Sequence, residues 1–400
     1  MAKLLVIAPA CDADDIGEAW VGYQWASRLA QRHEMTLLSW RKRGQPRVSR
    51  HFPGERVIEW EAPPGLGRAE RFDALFKPAY PVFYYRARRW IRAALASGEH
   101  FDIAHQPTPV AMRYPSPVAG LGIPFIVGPV GGGLEDPPAF KGEDTAPWYV
   151  GLRRLDRWRL SHDPLLRRTY EQASCVIGIA PYITDTLDGV KVRNLAYFSE
   201  TGVDTRPPRF DRNDRSGTVR LLFVGRLIRT KGARDAIRAV ALLGDLDVEL
   251  EIVGDGFDRS ACESLVSELA LQDRVKFLGR QPREQVSQAY ERADIFVFPS
   301  YREPGGNVTF EAMAASLPLI VADRGGPGYV VDDRCGIRVE PITPQQFARD
   351  LARAIRELVN NPDRRRAMGA AAYERVGEVG DWGVKLDLID AIYTEALTGA

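Results

Sequence analysis

Short apolar runs rich in β-formers alternate along the chain with longer stretches of helical spacing, and the alternation occurs twice. In the first half the runs at 4–8, 35–39, 101–104, 125–127 and 175–180 read as strands, 17–31 carries helical periodicity, and 182–187 is helix-like. Residues 206–217 are polar, hold two prolines and lack periodicity, which reads as a linker. The pattern then restarts, with strands over 219–224, 248–253, 275–278, 295–299 and 319–321. Between them, 233–243, 259–269 and 282–292 read as helices, the last opened by Pro282 as proline does at a first helical position. Helices over 344–358, 363–376 and 386–397 close the chain. The double alternation predicts an α/β protein of two doubly wound, Rossmann-like parallel sheets with a cleft between them. The expected domains are 1–205 and 206–380, with 381–400 a terminal helix packing back toward the first.

Composition narrows the class. The 400 residues are 45% apolar and 27% charged, as in a soluble globular enzyme of two or three domains. A net charge of +1 gives no support for nucleic acid as a partner. Cys11, Cys175, Cys262 and Cys335 are far apart and have neither metal-ligand nor redox spacing, which predicts reduced thiols and a cytoplasmic location. The start, Lys3 to Ala10, mimics a signal peptide, but its apolar core is at the short limit and Asp12, Asp14 and Asp15 follow as in a loop after a strand. No run of about 20 apolar residues is present to span a membrane.

Chemistry concentrates in the stretch from Ser300 to Ala314. A buried-strand pattern, 294–300, leads into Glu303, then Gly305-Gly306-Asn307, then Glu311 inside a helix-like run. Ligands of open α/β sheets bind at such strand ends. The glycines admit close backbone approach, and the first helical turn offers unpaired amides to an anion such as phosphate. The two carboxylates can accept hydrogen bonds from sugar or ribose hydroxyls. A site combining both features suits a nucleotide sugar, and an ordinary strand-loop-helix with solvated acids fits the same spacing.

Two further loops end strands of the second half. Gly225-Arg226 with Lys231-Gly232 places two cations where they could neutralise a diphosphate, and the Walker spacing is missing. Gly254-Asp255-Gly256 hints at a dinucleotide fingerprint but has Arg259 where the third glycine would stand.

In that order, these loops with Glu303 and Glu311 resemble the donor domain of glycosyltransferase family 4. First-half loops are also family-like: Asp15-Ile-Gly17-Glu18, His105-Gln-Pro-Thr, Gly128-Pro-Val-Gly131-Gly132-Gly133 and Thr201-Gly202-Val203-Asp204. The resemblance implies the GT-B architecture and a retaining hexosyl transfer from a UDP- or GDP-sugar to an acceptor hydroxyl, in polysaccharide, glycolipid or glycoconjugate synthesis. By resemblance, Arg226 and Lys231 hold the donor diphosphate, Glu303 contacts the transferred sugar, and Glu311 contacts the ribose. Backbone amides near Asn307 and Val308 meet the phosphates beside Gly305 and Gly306; the Gly254 loop reads as a plain turn or as a further lining of the nucleotide pocket from the same sheet edge. Gly17 lets the first-domain helix approach the diphosphate, and His105 lies by the sugar. Two departures are visible: Gly305-Gly306-Asn307 replaces a frequent Phe-Gly-Leu, and Thr201 replaces a familiar asparagine. They leave sugar preference and one acceptor contact open.

His105 reads either as this sugar contact or as a buried, hydrogen-bonded loop histidine. Asp12-Ala-Asp14 matches the Asp-x-Asp signature of metal-dependent GT-A enzymes, but the two-sheet pattern is not GT-A. No metal or other cofactor is therefore expected, and fixed cations stabilise the leaving group instead, at about 3–4 kcal/mol per donor. Arginine–tryptophan stretches at 86–92 and 153–159 read first as solvated helix faces with ion pairs, with peripheral contact to an anionic membrane surface as the alternative. A GT-B-like sugar-nucleotide epimerase, a phosphorylase and a non-catalytic nucleotide-sugar-binding protein are the alternatives.

Overall fold

Leu4, Leu5, Val6 and Ile7 are fully buried along one strand, as a parallel sheet covered by helices on both faces requires. The computed structural model describes residues 1–15, 17–41, 43–63, 79–142, 155–204 and 217–399. Its strands are β1 (Lys3–Ile7), β2 (Glu34–Arg41), β3 (Arg56–Glu61), β4 (Ile103–Gln106), β5 (Phe125–Val130), β6 (Cys175–Gly178), β7 (Leu195–Tyr197), β8 (Val219–Val224), β9 (Val248–Val253), β10 (Val275–Gly279), β11 (Ile295–Phe298), β12 (Leu319–Ala322) and β13 (Gly336–Val339). The helices are α1 (Glu18–Ala30), α2 (Tyr80–Ala96), α3 (Leu155–His162), α4 (Pro164–Gln172), α5 (Ile183–Thr186), α6 (Ala233–Ala241), α7 (Arg259–Glu268), α8 (Arg283–Arg292), α9 (Asn307–Ala314), α10 (Gly325–Val330), α11 (Pro344–Asn360), α12 (Pro362–Val379) and α13 (Trp382–Thr398).

The strands form two sheets, ordered β3-β2-β1-β4-β5-β6-β7 and β10-β9-β8-β11-β12-β13, each with neighbouring strands parallel. Counted from its own first strand, each sheet runs 3-2-1-4-5-6, with β7 added at the end of the first. This is the doubly wound order, and it reverses direction between β1 and β4 and between β8 and β11. Each sheet carries its own hydrophobic core.

The chain divides into two compact units. One comprises Met1–Gly133, Gly151–Thr201 and Lys385–Ala400, and the other Leu134–Val150 and Gly202–Val384. Residues 134–142 thus count with the second unit although they lie between two strands of the first sheet. In the first unit α13 is fastened to its neighbours: Arg32 pairs with Asp387 and Asp390 at 2.7 and 2.8 Å, and His33 Nε2 meets Asp390 at 2.9 Å. The ammonium of Lys385, 1% exposed, donates to the carbonyls of Ser199 and Thr201. The linker read at 206–217 lies outside the described residues except for Gly217.

Three strands were not expected from the sequence: β3, β7 and β13. All are sheet edges, and they are short or interrupted by charge, so no continuous apolar run marks them. A second difference bears on chemistry. The strand expected at 101–104 forms at Ile103–Gln106, so His105 lies inside β4 rather than in a loop after it. Parallel pairing of Leu4, Leu5 and Val6 with Ile103, Ala104 and His105 sets this register.

Candidate active site

In the second unit the loops after β8, β9 and β11 meet at the reversal of strand order. The first two run side by side: Gly225 N–H donates to the Val253 carbonyl and Leu227 N–H to the Asp255 carbonyl, both at 3.0 Å. Gly254 (φ 132°) makes this approach possible, because a Cβ there would collide with the Gly225 carbonyl oxygen. Gly232 (φ 81°) is needed for the same reason, its Cβ direction pointing into the Pro299 carbonyl. That contact, with the Ser300 hydroxyl donating to the Thr230 carbonyl at 3.1 Å, locks the β8 loop to the β11 loop.

Between these glycines Arg229–Lys231 form one 3-10 turn. Arg229 points inward and makes a two-pronged ion pair with Asp235, at 2.5 and 3.0 Å, with both side chains fully buried. Lys231 points the other way, and its ammonium pairs with the Glu303 carboxylate; each side chain is 13% exposed. The structure therefore brings Lys231 and Glu303 together across 72 residues of sequence. Arg226 stands on the same loop, exposed, with no ion pair among the described residues.

Beyond Glu303 the backbone turns through Gly306 (φ 83°, ψ 58°) into α9, which has no side-chain cap at its amino end. Uncapped first-turn amides carry the positive end of the helix dipole and suit an anion. Asn307 is exposed and Val308 half-buried at this end, while Gly305 and Gly306 are buried. One turn further on, Glu311 accepts a hydrogen bond of 2.9 Å from the Tyr290 hydroxyl. Desolvation raises the Glu311 pKa, opposed by the Tyr290 hydrogen bond and the Arg283 charge. The residue as a whole still presents surface to solvent. Behind the loop, Gly326 N–H donates to the Glu303 carbonyl at 3.0 Å.

The corresponding end of the first sheet is different. Gly17 (φ 65°, ψ −126°) caps α1, with open space where a Cβ would stand. The Glu18 carboxylate accepts from Val110 N–H at 2.9 Å. His105 is completely buried, and both ring nitrogens are engaged: Nε2 with the Gly128 carbonyl and Nδ1 with the Tyr393 hydroxyl, each at 2.7 Å. The carbonyl can only accept, so Nε2 carries the proton and Nδ1 accepts from Tyr393. Burial pushes the His105 pKa down to about 4, with the Gly128 carbonyl opposing it. His105, expected at a strand end, thus lies inside β4 as a buried histidine with both ring nitrogens bonded.

Asp12, Asp14 and His51 bring one ligand-type atom each within 4.8 Å of one another. Arg50 already supplies positive charge there, 2.6 Å from Asp14 and 3.6 Å from Asp12. Of the arginine–tryptophan stretches, Arg86, Arg89 and Arg92 are exposed on α2, whereas Arg88 donates to the carbonyls of Pro117 and Ala119. Arg159 pairs with Asp163 at 2.9 Å, and Arg153 and Arg154 lie outside the described residues. Among the described residues no helix is long and apolar enough to cross a membrane.

Sequence reasoning missed Arg229, Asp235, Tyr290 and the Gly325-Gly326 backing of the loop. Arg229 is one more cation on the stretch from Arg226 to Lys231, and its burial sets it apart from them.

Residues 205–375 match the family model for glycosyl transferases group 1. A D-inositol 3-phosphate glycosyltransferase of Corynebacterium kroppenstedtii is 34% identical over 187 residues, 44% of this chain and 40% of that protein. A 2-deoxystreptamine glucosyltransferase of Streptomyces kanamyceticus is 30% identical over 217 residues, 52% of this chain and 54% of that one. The chain spans about half the length of these curated relatives. Among solved structures, a sucrose-phosphate synthase from Thermosynechococcus elongatus aligns over 99% of both chains with a TM-score of 0.68 at 21% identity. Anabaena HepE, solved with UDP and glucose, aligns over 98% of this chain and 99% of its own, with a TM-score of 0.60 at 16% identity. Over residues 205–375 the chain is therefore similar to the group 1 glycosyl transferases, and its two parallel-sheet Rossmann-like units have the GT-B fold of solved glycosyltransferases.

Proposed function

We propose that this chain is a retaining, metal-independent glycosyltransferase of family 4. It moves a hexosyl group from a UDP- or GDP-sugar to an acceptor hydroxyl, in cytoplasmic synthesis of a polysaccharide, glycolipid or glycoconjugate. The observation that carries this reading is the meeting of Lys231 and Glu303 at the strand-order reversal of the second sheet, beside the uncapped start of α9. The glycosyltransferases among its relatives, and the UDP and glucose in HepE, support the same class of substrate.

In this reading Arg226 and Lys231 neutralise the diphosphate, and the amides of Asn307 and Val308 meet its oxygens. Glu303 accepts from hydroxyls of the transferred sugar and Glu311 from the ribose. As the bond from the anomeric carbon to the diphosphate oxygen breaks, negative charge grows on that oxygen, where fixed cations stabilise it. The acceptor oxygen bonds to the anomeric carbon from the same face, and its proton passes to the departing phosphate oxygen. No side-chain base is required, which accords with a His105 whose nitrogens are both occupied.

A thermal-shift panel of UDP-, GDP-, ADP- and dTDP-sugars tests the donor site, since a ligand bound only by the folded protein raises its stability with concentration. One donor is expected to shift the transition, and Glu303→Gln is expected to lose turnover with that donor by orders of magnitude while staying folded. Release of free nucleoside diphosphate should require the acceptor and persist in EDTA. Wild-type turnover in Glu303→Gln refutes the site; release without acceptor refutes the transferase.

A further inference from the structure

We infer that residues 135–140 are a positioning element of the nucleoside-diphosphate site, with Phe140 as its anchor. The inference rests on the donor-site reading above. These residues follow β5 of the first sheet, yet they pack within the second unit. They also lie outside the 205–375 span shared with the group 1 family.

The segment is tied to the site loops at three places. Phe140, 1% exposed, packs its ring 4.5 Å from that of Tyr301. The Arg229 guanidinium carbon lies 5.6 Å from the Phe140 ring centre and 5.4 Å from that of Tyr301. Asp136 pairs with Arg302 at 2.7 Å. The Glu135 carbonyl accepts from Arg324 at 2.8 Å.

Each tie lands next to a working residue. Arg229 stands two positions before Lys231, and Tyr301 and Arg302 immediately precede Glu303 by two positions and one. Arg324 leads into Gly325-Gly326, whose second amide holds the Glu303 carbonyl. Phe140 thus wedges between the roots of the two loops that bring Lys231 to Glu303. Without its ring, Arg229 and Tyr301 lose a shared wall, and the cation and carboxylate are free to drift. A misplacement of about 1 Å by a change far from the chemistry can cost about 10²-fold in rate.

The test uses the full chain with UDP, GDP and ADP as titrants in calorimetry. The wild type should bind one of them. Phe140→Ala should weaken that binding at least tenfold and raise the donor KM more than it lowers kcat. Phe140→Leu should recover most of the affinity, and Asp136→Ala should lose a few-fold. Leu351→Ala, in the same core on α11, is the control for simple destabilisation. If Phe140→Ala does not fold, Phe140→Leu and Asp136→Ala carry the test, and wild-type affinity in both overturns the inference. Wild-type affinity in a folded Phe140→Ala, or an equal loss in Leu351→Ala, also overturns it and leaves the donor site standing. A wild type that binds none of the three nucleotides overturns the donor site and this inference together.

Discussion

The two sheets share a strand order but not a chemistry. At the reversal of the second sheet, Lys231 and Glu303 face each other half-buried, Arg226 is exposed on the same loop as Lys231, and α9 begins without a side-chain cap. In the first sheet His105, on the β4 strand beside the reversal, is neutral, fully buried and bonded on both sides. The same backbone plan therefore carries a part-exposed ion pair at one reversal and a buried, bonded histidine at the other. Fold alone does not decide which; the solvent exposure of individual side chains does.

The largest expected effect breaks the support of the ionic site. Arg229→Ala takes the two-pronged partner away from the fully buried Asp235 carboxylate. Removing one partner of a buried pair typically costs about 3–5 kcal/mol, to be read from denaturant midpoints. Next comes Lys231→Ala, expected to lower kcat/KM by about 10²–10³, or about 3–4 kcal/mol, with little change in folding. An active Lys231→Ala variant removes the contrast between the two sheets.

The third prediction concerns the first sheet. His105 has a folded pKa of about 4, below its ordinary value of 6.5. Between those values the unfolded chain binds a proton that the folded chain refuses. Its contribution is complete above pH 6.5 and is lost as pH falls to 4, by about 3 kcal/mol in all. Chemical denaturation across that window should show the decline, and His105→Gln should flatten it while retaining turnover near neutral pH. The smallest effect belongs to Asp14, whose side chain is 70% exposed and paired with Arg50. Asp14→Ala should change stability by less than about 1 kcal/mol and leave EDTA-treated activity intact, as turnover assays would show.

Which parts of this were legible in the sequence follows from range. Gly225, Gly254, Glu303 and Gly306 mark strand ends by local turn chemistry, so the loops of the second sheet could be read directly. The inward course of Arg229 could not, because its partner Asp235 lies on the next helix and nothing in the composition distinguishes it from Lys231. His105 was misplaced because a two-residue shift of β4 is set by pairing with β1, nearly a hundred residues away. The edge strands β3, β7 and β13 escaped because edges lack the apolar runs that mark buried strands. Phe140 was invisible for the plainest reason: it is more than 80 residues from every loop it touches in the second unit.

The placement of Phe140 has a practical consequence for building chimeras. A donor unit cut from this chain at the 205/206 boundary and grafted onto another enzyme would leave its aromatic plug behind. The graft would have to carry residues 134–140 with it, or accept a foreign side chain in a socket shaped by Tyr301, Arg229 and Phe347.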